Sequence, residues 1–203
     1  LLVGAFGLVS CEDYLDKAPQ SDIGVEQPYK NFKNFQGFTE ELYNCIPLLT
    51  ASNWHNNWNF GDDEYWEPNE PRMFANQIEQ GNYWDWNNAA FNHFKKGGNP
   101  NNNNRFDKGN LWGLSWYGIR KANVGIANLE LMIEGTQEER NLIAGQLYFF
   151  RAWYHFTLMQ YWGGLPYIDQ VLPSDEVLKL ERLSYQETAD RVAEDFKRAA
   201  ELL

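Results

Sequence analysis

Apolar positions in the second half of the chain recur at three- and four-residue steps. Leu142, Ile143, Leu147, Phe149, Phe150, Trp153, Phe156, Leu158, Tyr161 and Trp162 keep that period, and they also fill most of a helix circumference. A helix with one wet face shows a stripe; this one shows almost none, so it is expected to be buried on several sides as the central member of a helical stack. Arg151 and His155, four apart, share a face. Gly163 and Gly164 are expected to end the helix in left-handed cap geometry, and Pro166 to prevent its restart. Thr136 to Glu139 reads as a capping box at its start. Ser184 to Glu187 reads as a second box, opening a helix with Tyr185, Ala189, Val192, Phe196, Ala199 and Leu203 on one face. Upstream, Phe32, Phe35, Phe38, Leu42 and Ile46 mark a helix that Pro47 ends. Trp112, Trp116, Ile119, Ile126, Leu129 and Ile133 mark another. The pattern predicts a mainly α domain with helices near residues 29–46, 111–134, 138–162 and 184–203, and irregular loops between 47 and 110.

Two polar residues stand inside these apolar patterns. A buried, unpaired guanidinium is very costly, so Arg151 is expected to meet a carboxylate or several backbone carbonyls in a structural role rather than a ligand. Asn123 needs hydrogen-bond partners on the same grounds.

The stretch between the first two helices carries no such period. Trp54, Trp58, Trp66, Trp84 and Trp86 lie there among Asn, Asp, Gly and Pro. Loops bury side chains poorly, whereas indoles are usually buried. Most of these rings are expected to plug clusters beneath long loops. A minority beside Asn and Asp suits a neutral sugar, whose apolar face stacks on a ring while its hydroxyls take amides and carboxylates. Trp84-Asp85-Trp86 puts two indoles on one side of an extended segment. The candidate ligand-binding residues are Trp84, Trp86 and Asn87, with Trp66 and Asp63 behind them. Asp62, Asp63 and Glu64 form an acidic loop that reads as a solvated turn, a sugar-hydroxyl acceptor or a Ca²⁺ site. Gly97 to Asn104 is low-complexity, and is expected to be a mobile loop. His55 and His93 are isolated and show no zinc-ligand spacing, and no cofactor is expected.

The net charge of −11 argues against nucleic acid as a partner. It argues more weakly against polyanionic ligands. Leu1 to Val9 is short and apolar and is followed by Ser10 and Cys11. This looks like the hydrophobic part of a secretory signal without its basic start. Leu8-Val9-Ser10-Cys11 resembles a bacterial lipobox, which makes Cys11 the lipidated first mature residue; a buried strand with a core cysteine is the plainer alternative. If Cys11 is acylated, Cys45 has no partner and is most simply a small core residue. With no initiator Met, and RAAELL stopping inside an amphipathic pattern, the expected layout is a truncated signal peptide over 1–10, a lipidated N-terminus and extended tether over 11–28, and a helical domain over 29–203 that is incomplete at its C-terminus.

Arg151 to Asp169 reads RAxYxFxLxxxWGGxPxxD, which resembles the core signature of the SusD/RagB family of Bacteroidetes outer-membrane nutrient-binding lipoproteins. WxxxYxxIRKANxxIANLE, beginning at Trp112, resembles a second signature, although it falls one residue out of step. SxxE…DxxxAxxLL, beginning at Ser184, resembles a third. Glu12 and Asp13 resemble the acidic tag that sends such lipoproteins to the cell surface. The resemblance implies a SusD-like helical scaffold of tetratricopeptide-type helix pairs with long irregular inserted loops. It implies a lipid-anchored protein at the outer-membrane surface that binds glycan and delivers it to a SusC-like TonB-dependent transporter. It also implies that much of the site comes from a C-terminal half beyond Leu203. A RagB-like peptide binder is the alternative. A helical glycoside hydrolase fits less well, because Asp62, Asp63 and Glu64 are adjacent rather than set ~5–9.5 Å apart across a cleft. No enzymatic activity is expected.

Overall fold

The computed structural model describes residues 26–46, 81, 111–173 and 179–203. Within them the regular structure is helical: α1 (Phe32–Asn44), α2 (Leu111–Ala127), α3 (Gln137–Trp162) and α4 (Tyr185–Leu202), with a short 3-10 turn at Leu129–Leu131. The expected mainly α architecture is what the described residues adopt. Trp54, Trp58, Gly97 to Asn104 and the rest of 47–110, Gly81 apart, lie outside the described residues, as does the segment 1–25.

Helix boundaries follow local chemistry. The Asn31 side chain caps α1 by accepting from the Asn34 N–H at 2.9 Å. The helix ends at Asn44, short of Pro47, where the Cys45 N–H tightens onto the Leu42 carbonyl. Both capping boxes are complete: Thr136 and Glu139 exchange bonds at the start of α3, and Ser184 and Glu187 at the start of α4. The second helix is shorter than its apolar pattern. It breaks at Asn128, whose side chain donates to the Val124 carbonyl at 2.7 Å and competes with the helical ladder. The backbone then turns so that the Glu134 N–H reaches the Lys30 carbonyl, and Ile133, expected on the buried face, is 73% exposed. Gly163 ends α3 at φ 76°, ψ −149°. That is not the left-handed cap expected but an extended positive-φ conformation open essentially to glycine alone. The backbone of Leu183 to Tyr185 lies against Gly164, where a Cβ would collide.

Pairings between helices fix their directions. The Tyr117 hydroxyl donates to Glu41 at 2.5 Å, Lys121 pairs with the same carboxylate, and the Lys121 ammonium lies 3.8 Å from the centre of the Phe38 ring. Numbers therefore fall along α1 as they rise along α2, and the two run antiparallel. Trp112 meets Trp162 at 4.9 Å, and Asn123 meets Arg151, so α2 and α3 are antiparallel too. Arg151 meets Asp195, and Gly164 lies beside Ser184, which sets α4 antiparallel to α3. The C-termini of α1 and α3 and the N-termini of α2 and α4 thus gather at one end of the bundle.

The core lies around α3. Phe35 and Leu42 of α1, Ile119 of α2, and Ile143, Leu147, Phe150, Tyr154 and Leu158 of α3 are fully buried. At ~1.5–3 kcal/mol for each large apolar side chain removed from water, these contacts dominate the favourable side of folding. Beyond the first turn burial runs nearly all the way round α3, as the sequence predicts, leaving Phe149, Phe156 and Gln160 as a narrow open strip. On α4 four of the six expected positions hold: Val192 and Ala199 are buried, and Ala189 and Phe196 pack against the core. Tyr185 and Leu203, in its terminal turn and cap, are exposed, and the buried Thr188 and Asp195 extend the face to one side.

Candidate ligand-binding site

The chain leaves α1 and re-enters at α2 on the same end of the bundle. Trp112 lies edge-on to both Trp116 and Trp162 at that end, and Tyr161 packs beside Trp162. Trp84, Trp86, Asn87, Trp66 and Asp63, together with Asp62, Glu64, His55 and His93, fall between those two helices and outside the described residues. So does Cys11. Cys45 is buried, as expected of a small core residue.

What the described residues do show is the role of the RAxYxF…GGxPxxD residues. Arg151 is 6% exposed, and its guanidinium makes four hydrogen bonds: Nε and Nη2 to the two oxygens of Asp195 at 2.6 and 2.7 Å, and Nη1 to the Asn123 amide oxygen at 2.9 Å and the Asp169 carbonyl at 3.0 Å. The expected carboxylate partner is therefore present, in the bidentate geometry that suits a guanidinium best. Burial works against the charge on Arg151, but the hydrogen bonds and charge of Asp195 outweigh it and hold the group more firmly protonated than usual. Asn123, buried as expected, spends its amide N–H groups on the carbonyls of Ile168 and Gln170 at 2.9 and 3.1 Å.

His155 completes this clasp. Its Nδ1 lies 2.9 Å from the Arg151 carbonyl, and the Ile168 N–H donates to Nε2 at 3.1 Å. The two bonds fix the neutral tautomer with the proton on Nδ1. Burial, ahead of the nearby Arg151 charge, pushes the His155 pKa down to about 4. Tyr167 stacks on the imidazole with ring centres 4.0 Å apart and donates its hydroxyl to Asp195 at 2.5 Å. Burial raises the Tyr167 phenol pKa, and the Asp195 carboxylate raises it further. At the other edge Tyr154 donates to the Leu42 carbonyl and ties α3 to the last turn of α1.

The clasp joins α2, α3, α4 and the segment 163–173 through groups that already satisfy one another. Both nitrogens of His155 and both oxygens of Asp195 have internal partners. It holds structure rather than ligand, and it presents no nucleophile beside a free base. Periodicity could not reveal Asp195 and Tyr167 as partners, since both contacts cross between elements. Among the described residues no group of His, Cys, Asp and Glu is placed to hold a metal ion, and no helix is long and apolar enough to cross a membrane.

Three comparisons bear on this architecture. No curated protein matches the chain. The crystal structure of a SusD-like protein from Bacteroides fragilis matches with a TM-score of 0.59 and 21% identity, over 92% of this chain and 32% of that one. The fold is therefore shared, and the chain spans about a third of that protein's length. A SusD-like family model, described as starch-binding and associating with the outer membrane, matches residues 13–203. With almost the whole chain matched, and with the helical scaffold and clasp described above, the chain belongs to the SusD-like family.

Proposed function

We propose that the protein is a cell-surface lipoprotein that captures neutral oligosaccharide and passes it to a SusC-like TonB-dependent transporter. The observation that carries this reading is the family match over residues 13–203, whose description names starch binding at the outer membrane. The geometry of the bundle supports it. Both ends of the tryptophan-rich stretch attach to the same end of a rigid helical core, so ligand contacts on that stretch have a fixed base. In this reading Trp84 and Trp86 are the stacking platform, Asn87 supplies hydrogen bonds, and Trp66 and Asp63 stand behind them. Cys11 carries the lipid that holds the protein at the outer membrane.

Each indole that covers tens of Å² of a sugar face contributes ~1–2 kcal/mol. Two such contacts with a few hydrogen bonds give affinities of roughly millimolar to micromolar, which suits delivery to a transporter rather than storage. The test is calorimetric titration of the full-length protein with a panel of neutral oligosaccharides and peptides. Trp84→Ala and Trp86→Ala are expected to weaken glycan binding with little change in melting temperature. Peptide binding in place of glycan binding would instead support the RagB-like alternative. A large fall in melting temperature would assign these indoles to the core and end the platform reading. Cys11→Ala is expected to move the protein out of the membrane fraction, and unchanged fractionation would contradict the anchor.

A further inference from the structure

A cavity of about 280 Å³ opens between α2 and the segment 163–173. Its walls are Trp116 and Ile119 on one side and Ile168, Leu172 and Pro173 on the other. Among the described residues two polar side chains, Arg120 and Gln170, also line it, and both residues are exposed. The segment that forms the outer wall is pinned at successive points. His155 accepts from the Ile168 N–H, Asn123 takes the Ile168 and Gln170 carbonyls, Arg151 takes the Asp169 carbonyl, and Arg120 takes the Leu172 carbonyl at 2.8 Å. The cavity is thus built before anything enters it, which lowers the ordering cost of binding.

Its chemistry is one-sided. Among the described residues the Arg120 guanidinium has no partner apart from the Leu172 carbonyl, and no described carboxylate pairs with it. Trp116 offers the cavity an apolar ring face, since its indole N–H is fully buried. The guanidinium only donates, the Gln170 amide both donates and accepts, and the aliphatic walls do neither. A complementary ligand therefore carries an apolar group with an acceptor, best an anionic one, beside it. A sugar ring fits poorly, because its hydroxyls need acceptors all round and the walls supply almost none. The volume lies at the small end for ligand pockets, enough for one large side chain and too small for several sugar rings.

We propose that this cavity is a docking pocket for a protein partner. It takes one bulky apolar side chain of an extended segment, while Arg120 takes a carboxylate next to that side chain. The pocket is built from α2 and the segment 163–173, and the proposal does not depend on the glycan reading.

The test uses the full-length protein labelled with 5-fluorotryptophan, with the Trp116 resonance assigned by Trp116→Phe. N-acetyl-L-phenylalanine, its uncharged amide and maltose serve as probes. The acid is expected to shift the Trp116 resonance and to bind roughly tenfold more tightly than the amide. Arg120→Gln should make acid and amide equal, and Leu172→Glu should remove the response to the acid. Trp116 unmoved by the acid, equal binding of acid and amide to the unaltered protein, or a Trp116 shift produced by maltose would each overturn the proposal. The last of these would make the cavity a sugar subsite.

Discussion

Arg151 and Arg120 sit on neighbouring helices and have opposite surroundings. Arg151 is enclosed by Asp195, Asn123 and the Asp169 carbonyl, so all its bonding is turned inward. Among the described residues Arg120 has one backbone partner, and it lines a cavity. The segment 163–173 is common to both: the clasp holds its inner side, and the pocket uses its outer side. The same side chain is structural where its partners are other parts of the fold, and available where the fold leaves its donors unused. A signature residue is therefore no guide to the ligand by itself, and the residues around it decide its role.

Breaking the inner half has the largest expected effect. Arg151→Met leaves the Asp195 carboxylate buried without its partner, and should cost about 3–5 kcal/mol in chemical denaturation. Replacing both, as Arg151→Met with Asp195→Leu, should cost less than either single change, because neither charge is then stranded. A double variant as unstable as the sum of the singles would deny the pair its coupling.

Acid probes the same clasp through His155. The folded protein holds this group at a pKa of about 4, against an ordinary value of 6.5. The unfolded chain takes up its proton as pH falls through 6.5, while the folded chain does not until about 4. Its contribution is therefore complete above 6.5 and is lost as pH falls toward 4, by about 3 kcal/mol over the window. His155→Gln should flatten the stability profile between pH 6.5 and about pH 5, above the range where carboxylates titrate. An unchanged slope in that interval would show that His155 is not held neutral.

The capping boxes should register less. Thr136→Ala and Ser184→Ala each remove a side-chain bond to a helix N-terminus, and should cost about 1 kcal/mol apiece, additively, by denaturant titration. The outer half of the comparison should barely affect stability. Arg120→Gln is expected to stay within about 0.5 kcal/mol of the unaltered protein while changing the response to N-acetyl-L-phenylalanine. A large destabilisation would make Arg120 a second structural arginine and remove the contrast.

These differences track what the sequence could reveal. The periods of α1, α3 and α4 and the two capping boxes are local signals, and they located the helices to within a few residues. The need of Arg151 and Asn123 for partners was also legible, because an aromatic run leaves a polar group no water. Their partners were not. Asp195 lies 44 residues from Arg151 on a strongly amphipathic helix, where a carboxylate reads as a surface group. The apolar pattern through Leu129 and Ile133 continued past the true end of α2, because the break comes from the Asn128 side chain competing for backbone. The cavity was invisible for a similar reason: its two walls meet only after α3 has reversed the chain at Gly163. The tryptophan-rich stretch has composition but no period, so it named candidate ligand contacts without arranging them.

The central claim is that the signature core supports the site and the tryptophan-rich stretch forms it. The most direct measurement is a fluorine NMR titration of the full-length, 5-fluorotryptophan-labelled protein with the neutral oligosaccharide that calorimetry selects. The account predicts that the Trp84 and Trp86 resonances move with saturable, parallel dependence on sugar while those of Trp116 and Trp153 stay in place. Movement of Trp116 or Trp153 with Trp84 and Trp86 unchanged would contradict it.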